Sequence, residues 1–218
     1  MIFAVHSPDS LSPLNYRKEK EFVKRVATTL NIAPGKSRVG LILYSNFATV
    51  SAELGDKSTL ELFNNLVDGL PQKSGKTRID RALKLAFSLF HTTGAIRRAV
   101  PKILILLASE KQTLVPEVSN LKDAAHPLHK ANIRILAVGM GQGFEETDLR
   151  TVTRTAKDVF LAPSFEDLFS LSGSISKITC EAASKLLKIL KIYFIEKLCY
   201  LKWFKYETKK FSSCSSTK

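Results

Sequence analysis

The sequence predicts an α/β fold in which a doubly wound, mostly parallel central sheet with one antiparallel edge strand carries helices on both faces. Short apolar runs alternate with longer segments of helical periodicity through residues 1–179, which is the pattern of strand–helix–strand units. One run, VPKILILLAS, is apolar without alternation, as expected of a central parallel strand buried on both faces. The 218 residues are 44% hydrophobic, which suits one globular domain with an appendage.

The strands are predicted from these apolar runs. The run MIFAV opens the chain, and SRVGLILYS and NFATVSAEL follow as a pair. A short Ser-Asn turn between the last two predicts a hairpin, and so the antiparallel edge. The remaining strands are VPKILILLAS (100–109), NIRILAVGMG (132–141) and KDVFLA (157–162).

The helices are predicted where apolar residues recur three and four positions apart. Residues 14–31 form the first, with Ala33-Pro34-Gly35 as its terminator. Residues 56–58 are predicted to cap the second. The others after the first are TLELFNNLVDGL (59–70), RIDRALKLAFSLFH (78–91), a segment from Val118 to Ala131, FEETDLRTV (144–152) and SFEDLFSLSGSISKI (164–178).

The net charge of +13 is unevenly distributed, with almost half of it in a C-terminal tail, residues 180–218. Nine lysines and three glutamates give residues 181–218 a charge of +6. Such a balance favours a polyanionic partner, namely nucleic acid, an acidic membrane surface or a sulfated glycan. Lysines interrupt every long apolar stretch of the tail, which argues against a membrane span.

The tail predicts a basic amphipathic helix that would lie on an anionic membrane or on a partner. Two alternatives stay open: a continuation of the last domain helix that packs on the body, and sequence carried over from an imperfect gene model. One arc of the predicted helix carries Lys188, Lys191, Lys202, Lys205 and Lys209.

The three cysteines, Cys180, Cys199 and Cys214, lie in the last 39 residues without a CxxC pair. This argues against a zinc site and against a disulfide framework in the main domain. The first residues show neither a basic leader nor a cleavage site. Taken alone, these features favour a cytosolic protein or a fragment that lacks its true N-terminus.

Enzyme motifs are not supported. The interval from Gly69 to Gly75 is one residue too long for a phosphate-binding loop before SGKT. In GMGQGF the third glycine of a dinucleotide motif is replaced by Phe144, so a flexible turn after the strand is predicted. There is no GxSxG motif, and His126 and His129 are predicted as surface histidines rather than a metal site. The chain is therefore predicted not to be an enzyme.

Three loops, VHSPDSLS, SGKT and LASEKQ, are predicted at the carboxyl ends of the strands, where such sheets bind ligands. Together with the hairpin and the strand NIRILAVGMG, they resemble a von Willebrand factor type A domain of the extracellular-matrix type, as in matrilins, collagen VI and cochlin-like proteins. The resemblance covers residues 1–179. It implies a metal-ion-dependent adhesion site built from Asp-x-Ser-x-Ser, a threonine and a second aspartate, where Mg²⁺ takes oxygen ligands.

This sequence departs from that motif. The first aspartate falls on His6, the first serine on Pro8 and the second aspartate on Ser109. Only Ser10 and Thr77 remain as metal ligands, so the resemblance implies a degenerate site and no cofactor. Mg²⁺ or Mn²⁺ would bind only if Asp9 or Glu110, each one position away from a ligand position, compensates, and such an offset normally redirects a side chain.

The ligand-binding face is predicted from the same loops. His6 is expected either to bring a group that titrates near neutrality to this face or to donate to a backbone carbonyl. The predicted face consists of His6, Ser7, Asp9, Ser10, Thr77, Ser109 and Glu110.

The resemblance implies a secreted, non-enzymatic module for adhesion or protein–protein interaction, with an extracellular-matrix or cell-surface protein as partner. No specific nucleic acid is expected. The alternative is an intracellular or membrane-peripheral scaffold attached through the basic tail. In the family a closing cysteine pairs with one before the first strand. Cys180 occupies that place, so its disulfide partner would lie upstream of Met1, unless Cys180 is free or pairs with another molecule.

Overall fold

A computed structural model of the chain describes residues 1–92 and 100–182. Within them, six strands form one sheet in the order β3-β2-β1-β4-β5-β6. The β2–β3 pair is antiparallel and the other pairs are parallel. This confirms the predicted fold class. The strands are β1 Ile2–His6, β2 Gly40–Tyr44, β3 Ala48–Ala52, β4 Lys102–Glu110, β5 Ile133–Gly143 and β6 Val159–Ala162.

Helices cover both faces of this sheet. Even-numbered residues of β1, such as Ile2 and Ala4, pack in one core cluster with α3 and α4. On the opposite face, the Phe3 ring contacts the Phe63 ring of α2 with centroids 5.7 Å apart. The helices are α1 Pro13–Thr28, α2 Leu60–Asp68, α3 Ile79–His91, α4 Leu121–Lys130, α5 Glu146–Val152 and a further helix, α6, that is described over residues 168–182.

Two local predictions differ from the structure. The cap of α2 is Thr59, whose side chain accepts the Leu62 N–H at 3.2 Å, rather than residues 56–58. The GMGQG segment is not a flexible turn, because β5 continues to Gly143. The Phe144 ring packs on Gly139, where an added Cβ would lie 2.7 Å from the ring. The glycine therefore makes room for an aromatic side chain rather than for a dinucleotide.

Met1–Arg98 and Lys102–Thr179 form one compact unit. The second unit, Ala99–Pro101 with Cys180–Lys218, lies mostly outside the described residues. The predicted amphipathic helix of the tail, with Cys199 and Cys214, is outside them too, apart from residues 181 and 182. No helix in the described ranges combines the length and apolarity that crossing a membrane requires.

A buried ion pair links α3 to the loop between β4 and α4. The Arg78 guanidinium donates to both carboxylate oxygens of Asp80 at 2.8 and 2.9 Å, and the Asp80 side chain is fully buried. Gln112 Nε2 and the Ser119 N–H donate to the same carboxylate. Burial raises the pKa of Asp80, but the hydrogen bonds from Arg78, Gln112 and Ser119 outweigh it and lower that pKa to about 2. The β4–α4 loop is therefore held by the buried Asp80 carboxylate, whose protein hydrogen-bond partners cannot be replaced by water.

We expect Asp80→Ala to lower the free energy of unfolding by about 3–5 kcal/mol, because it leaves the Arg78 charge buried and unpaired. Urea denaturation measures this change. The matched control is Glu146→Ala, which removes an acid from the first turn of α5 and breaks the exposed pair with Arg150. That variant should cost less than about 1 kcal/mol. Equal small losses in the two variants would contradict a structural role for the buried pair.

Candidate functional site

Three segments meet at the carboxyl end of the sheet: the β1–α1 loop, residues 71–78, and the β4–α4 loop. The Lys73 N–H donates to the Ser7 carbonyl at 2.8 Å, and the Thr113 N–H donates to the Thr77 carbonyl at 2.9 Å. Gln72 Nε2 donates to the Pro8 carbonyl at 2.7 Å. The three loops predicted to form a site are therefore joined to one another by hydrogen bonds that involve their backbones.

His6 ends β1 and is fully buried. Its backbone N–H donates to Glu19 Oε1 at 3.0 Å. The imidazole lies between two hydroxyls, with Nδ1 2.8 Å from Ser109 Oγ and Nε2 3.1 Å from Thr77 Oγ1. It also stacks on the Tyr44 ring at a centroid distance of 4.9 Å. The ring contacts hydroxyl groups, not the backbone carbonyl that the sequence led us to expect.

Burial lowers the pKa of His6 to about 4, and the negative charge of Glu110 opposes this only in part. The ring is therefore neutral at physiological pH and does not bring a group that titrates near neutrality to the surface. A neutral imidazole has one donor and one acceptor nitrogen. The Thr77 hydroxyl donates to Glu110 Oε2 at 2.6 Å, so Nε2–H donates to Thr77 and Nδ1 accepts from Ser109.

Glu110 reaches the site although it lies one position past the expected ligand. The pairing of β4 with β5 shifts register here, because Ala108 lies opposite Gly139 whereas Glu110 lies opposite Gly143, so that β5 contributes two more residues than β4. At this point β4 and β5 approach so closely that a Cβ on Gly143 would lie 2.7 Å from the Ser109 carbonyl oxygen. The Glu110 carboxylate accepts hydrogen bonds from both Ser10 Oγ and Thr77 Oγ1.

The other residues of the predicted face lie at different depths. Ser7 is fully buried, and its hydroxyl faces the Tyr44 carbonyl. Thr77 and Ser109 are also buried, whereas Asp9 and Ser10 are exposed. The exposure of Asp9 shows that the offset of one residue leaves this carboxylate at the surface. A ligand that approaches this face meets Asp9, Ser10 and the edge of Glu110, with the histidine network beneath them.

Glu19 belongs to the site although it was not predicted from the sequence. It is fully buried on α1, and its Oε2 has no hydrogen-bond partner among the residues that the structure describes. Burial raises the pKa of Glu19 well above its ordinary value, and the hydrogen bond from the His6 N–H lowers it less. A signal was present: Glu19 lies three positions from both Tyr16 and Phe22, which places it on the apolar face of its helix.

The donor set does not fit a Mg²⁺ ion. Such an ion prefers several oxygen ligands with carboxylate charge, and here one carboxylate and two hydroxyls converge. Both hydroxyls already donate to that carboxylate. The Nε2–H of His6 points at Thr77 Oγ1, the oxygen that would have to coordinate the ion.

The two helical histidines do not make a second site. His126 is exposed, and His129 Nδ1 lies 3.3 Å from Arg154 Nε. In the part of the chain that the structure describes, no group of three or more His, Cys, Asp or Glu side chains is placed to hold a metal ion. Cys180, at the end of the same part, is exposed and unpaired.

Comparison with known proteins agrees with this architecture. Residues 1–173 match the family model of the von Willebrand factor type A domain. The chain is similar to the mouse collagen alpha-6(VI) chain, with 25% identity over 172 residues, which covers 78% of this chain and 7% of the relative. The human collagen alpha-1(XXI) chain is 24% identical over 161 residues, 74% of this chain and 16% of that relative. The chain thus spans a small part of these collagens.

Solved structures show the same fold. Proximal thread matrix protein 1 from the mussel byssus superposes with a TM-score of 0.77 and 24% identity, over 82% of this chain and 47% of that one. Another structure of that protein, described as having a zinc-occupied MIDAS motif, gives a TM-score of 0.76 at 23% identity with the same coverage.

We expect Glu19→Gln to stabilise the protein at alkaline pH and to have no such effect in acid. The folded state raises the pKa of Glu19 above its ordinary value of 4.5. The stability that the protonated carboxyl group contributes is therefore fully present below pH 4.5 and is lost as the pH rises towards the folded-state pKa. Glutamine can still accept the His6 N–H without titrating. Urea denaturation at about pH 4 and about pH 8 measures the difference.

The control for this variant is Glu21→Gln, which removes an exposed carboxylate from the same helix. It should leave the free energy of unfolding unchanged at both pH values. A Glu19→Gln variant that is less stable than wild type at pH 8 would show that the ionised carboxylate stabilises the fold.

Proposed function

We propose, since the chain belongs to the von Willebrand factor type A domain family, that it is a non-enzymatic module for protein–protein interaction. In this proposal it works in the extracellular matrix, and metal-dependent ligand binding is lost or weakened. Matrix proteins among its relatives support the location: collagen chains, and a thread matrix protein that shares the fold. The partner is then a matrix or cell-surface protein.

One observation supports metal independence above the others. The Glu110 carboxylate accepts hydrogen bonds from Ser10 and Thr77, the two hydroxyls that the family motif assigns to the metal. An internal carboxylate thus satisfies groups that an ion would otherwise have to coordinate. The protein face can then be rigid and complete without an ion.

The absence of catalysis is supported by the same network. His6, Thr77 and Ser109 are buried, so the imidazole has no access to a substrate. The exposed hydroxyl of the set, Ser10, donates to a carboxylate rather than to the histidine. A general base must lie within hydrogen-bond reach of the proton that it removes from a substrate, and this imidazole is enclosed by protein.

The domain limits belong to the same proposal. Residues 1–179 would be the interaction domain, and residues 180–218 a basic appendage of separate role. In a longer secreted protein Cys180 would pair with a cysteine that precedes the first strand, as the family resemblance implies, and its exposure leaves it accessible for such a bond.

We expect the melting temperature of the full chain to be the same in EDTA and in millimolar Mg²⁺ or Mn²⁺. An ion that binds only the folded state must raise this temperature by mass action. The matched positive control is the triple variant His6→Asp, Pro8→Ser, Ser109→Asp, which restores the family motif. At about ten times its Kd, an ion should stabilise that variant by about 1.4 kcal/mol. A rise in the wild type that Glu110→Gln abolishes would show that Glu110 serves as a metal ligand.

Interaction is tested by retention of the full chain on decellularised extracellular matrix. We expect equal retention in EDTA and in Mg²⁺, and loss of retention after the matrix is treated with protease but not after treatment with glycosaminoglycan lyases. Vesicles that contain phosphatidylserine serve as the comparison surface. Retention on these vesicles without retention on matrix would contradict the proposal and favour a membrane-peripheral scaffold that is attached through the basic tail.

A further inference from the structure

An exposed aromatic ring stands beside the candidate site. Phe47 is 64% exposed on the turn between β2 and β3, which lies at the carboxyl end of β2 and so on the same edge of the sheet as the site. Large exposed apolar side chains are ordinary when isolated. Phe47 differs because the Arg81 guanidinium lies over its ring, and Lys73 and Lys76 belong to the segment that packs against its turn.

Contacts with the turn and with β3 position two of these side chains, Arg81 and Lys73. The Arg81 guanidinium lies over the Phe47 ring, with Cζ 4.9 Å from the centroid, and Arg81 Nη1 donates to the Asn46 carbonyl at 2.7 Å. Lys73 Nζ donates to Thr49 Oγ1 at 3.3 Å. Lys76 is exposed and adjoins Thr77 of the site. We call Phe47, Lys73, Lys76 and Arg81 the Phe47 patch.

A glycine brings the two segments of the patch together. A Cβ on Gly75 would lie 2.8 Å from the Asn46 Cβ, and the φ of Gly75 is +110°, a conformation that other residues rarely adopt. The Ser45 hydroxyl donates to the Ser74 carbonyl at 3.0 Å, which joins the same segments. The two backbone segments that carry the patch are therefore held against each other by the fold.

Ion pairs among the described residues do not compensate the charge of the Phe47 patch. Neither residues 45–52 nor residues 69–79 contain an aspartate or glutamate. The next carboxylate, Asp80, is buried and paired with Arg78, and Glu110 is held by the two hydroxyls of the site. Within residues 1–92 and 100–182, no ion pair includes a basic side chain of the patch. Asp9 is the exposed carboxylate of the site itself.

We propose that the Phe47 patch binds an acidic segment of the protein partner. An apolar or aromatic side chain of that segment packs on Phe47, and flanking carboxylates pair with Lys73, Lys76 and Arg81. This inference rests on the proposed function as a protein-interaction module and adds the chemistry of the partner. The ammonium and guanidinium groups bind carboxylates directly, so the contact needs no bridging metal.

A protein segment fits the patch better than a polyanion does. Aromatic and arginine side chains are enriched where protein interfaces gain most of their binding energy. Polyanion sites instead gain affinity from many phosphate or sulfate contacts, whereas this patch combines three cationic residues with one exposed aromatic ring. A second copy of the chain is disfavoured as partner, because the chain carries a net charge of +13.

The test uses the full chain and a fluorescent synthetic peptide in which glutamates alternate with leucine and phenylalanine. Two matched peptides replace the glutamates by glutamine or the apolar residues by serine. We expect only the first peptide to bind in an anisotropy titration, and the affinity to fall as NaCl rises from about 50 to about 500 mM. Equal binding of the glutamine peptide would overturn the inference.

Variants then locate the binding. Phe47→Ser and Lys76→Glu should each weaken peptide binding about tenfold. The matched controls, Leu62→Ser and Lys36→Glu, change exposed residues away from the patch and should stay within about twofold of wild type. The basic tail is common to all these chains, so binding that no patch variant changes would lie outside the patch and overturn the inference. If Phe47→Ser does not fold, Lys76→Glu on the exposed loop still decides the question.

Two further outcomes separate this inference from the proposed function. Wild type and patch variants that are retained equally on matrix would leave the proposed function intact and overturn the role of the patch. Patch-dependent binding of heparin or of anionic vesicles, with no binding of the acidic peptide, would replace the protein partner by a polyanion. Absence of matrix retention together with patch-dependent peptide binding would contradict the matrix location but support the patch.

Discussion

The burial of His6 at the end of the central strand is the constraint on which the candidate site depends. A side chain with no access to water is costly to charge, so the imidazole stays neutral and must have one donor and one acceptor partner. Ser109 and Thr77 supply them. Because Thr77 accepts from the ring, its own hydrogen is directed to Glu110. One buried ring thus orients the two hydroxyls that contact it, and through Thr77 it reaches the carboxylate nearer the surface.

The loops around this ring are held together because hydrogen bonds join their backbones to one another. Ser7, Thr77 and Thr113 exchange backbone hydrogen bonds with neighbouring loops, and the Arg78–Asp80 pair joins the start of α3 to the loop after β4. A face built in this way loses little conformational freedom when a partner binds, and such preorganisation increases affinity without adding contacts. Loops that carry binding residues on a rigid sheet are the usual arrangement in α/β folds.

Much of the architecture could be predicted because it follows from long-range patterning of apolar residues. The residues of the site, from His6 to Glu110, could also be assigned to one edge of the sheet. Their depths could not, since whether Ser7 or Asp9 faces water depends on the course of a loop. Glu19 was not predicted because charged residues flank it, although its helical position is apolar. The Phe47 patch joins two segments that lie nearly thirty residues apart in the sequence, and no local sequence pattern predicts that they come into contact.

The offset of Glu110 by one position along β4 changes how the acidic groups of such a site should be counted. Ser109 occupies the position that an alignment would assign to the second aspartate, yet Glu110 carries its carboxylate to the two hydroxyls. The acidic group thus comes from the residue one position further along β4. An alignment shows no acidic residue at position 109, although the structure has a carboxylate at the site. Relatives whose acidic residue lies one position further along this strand can therefore place a carboxylate at the same point in space, although an alignment shows no acidic residue there.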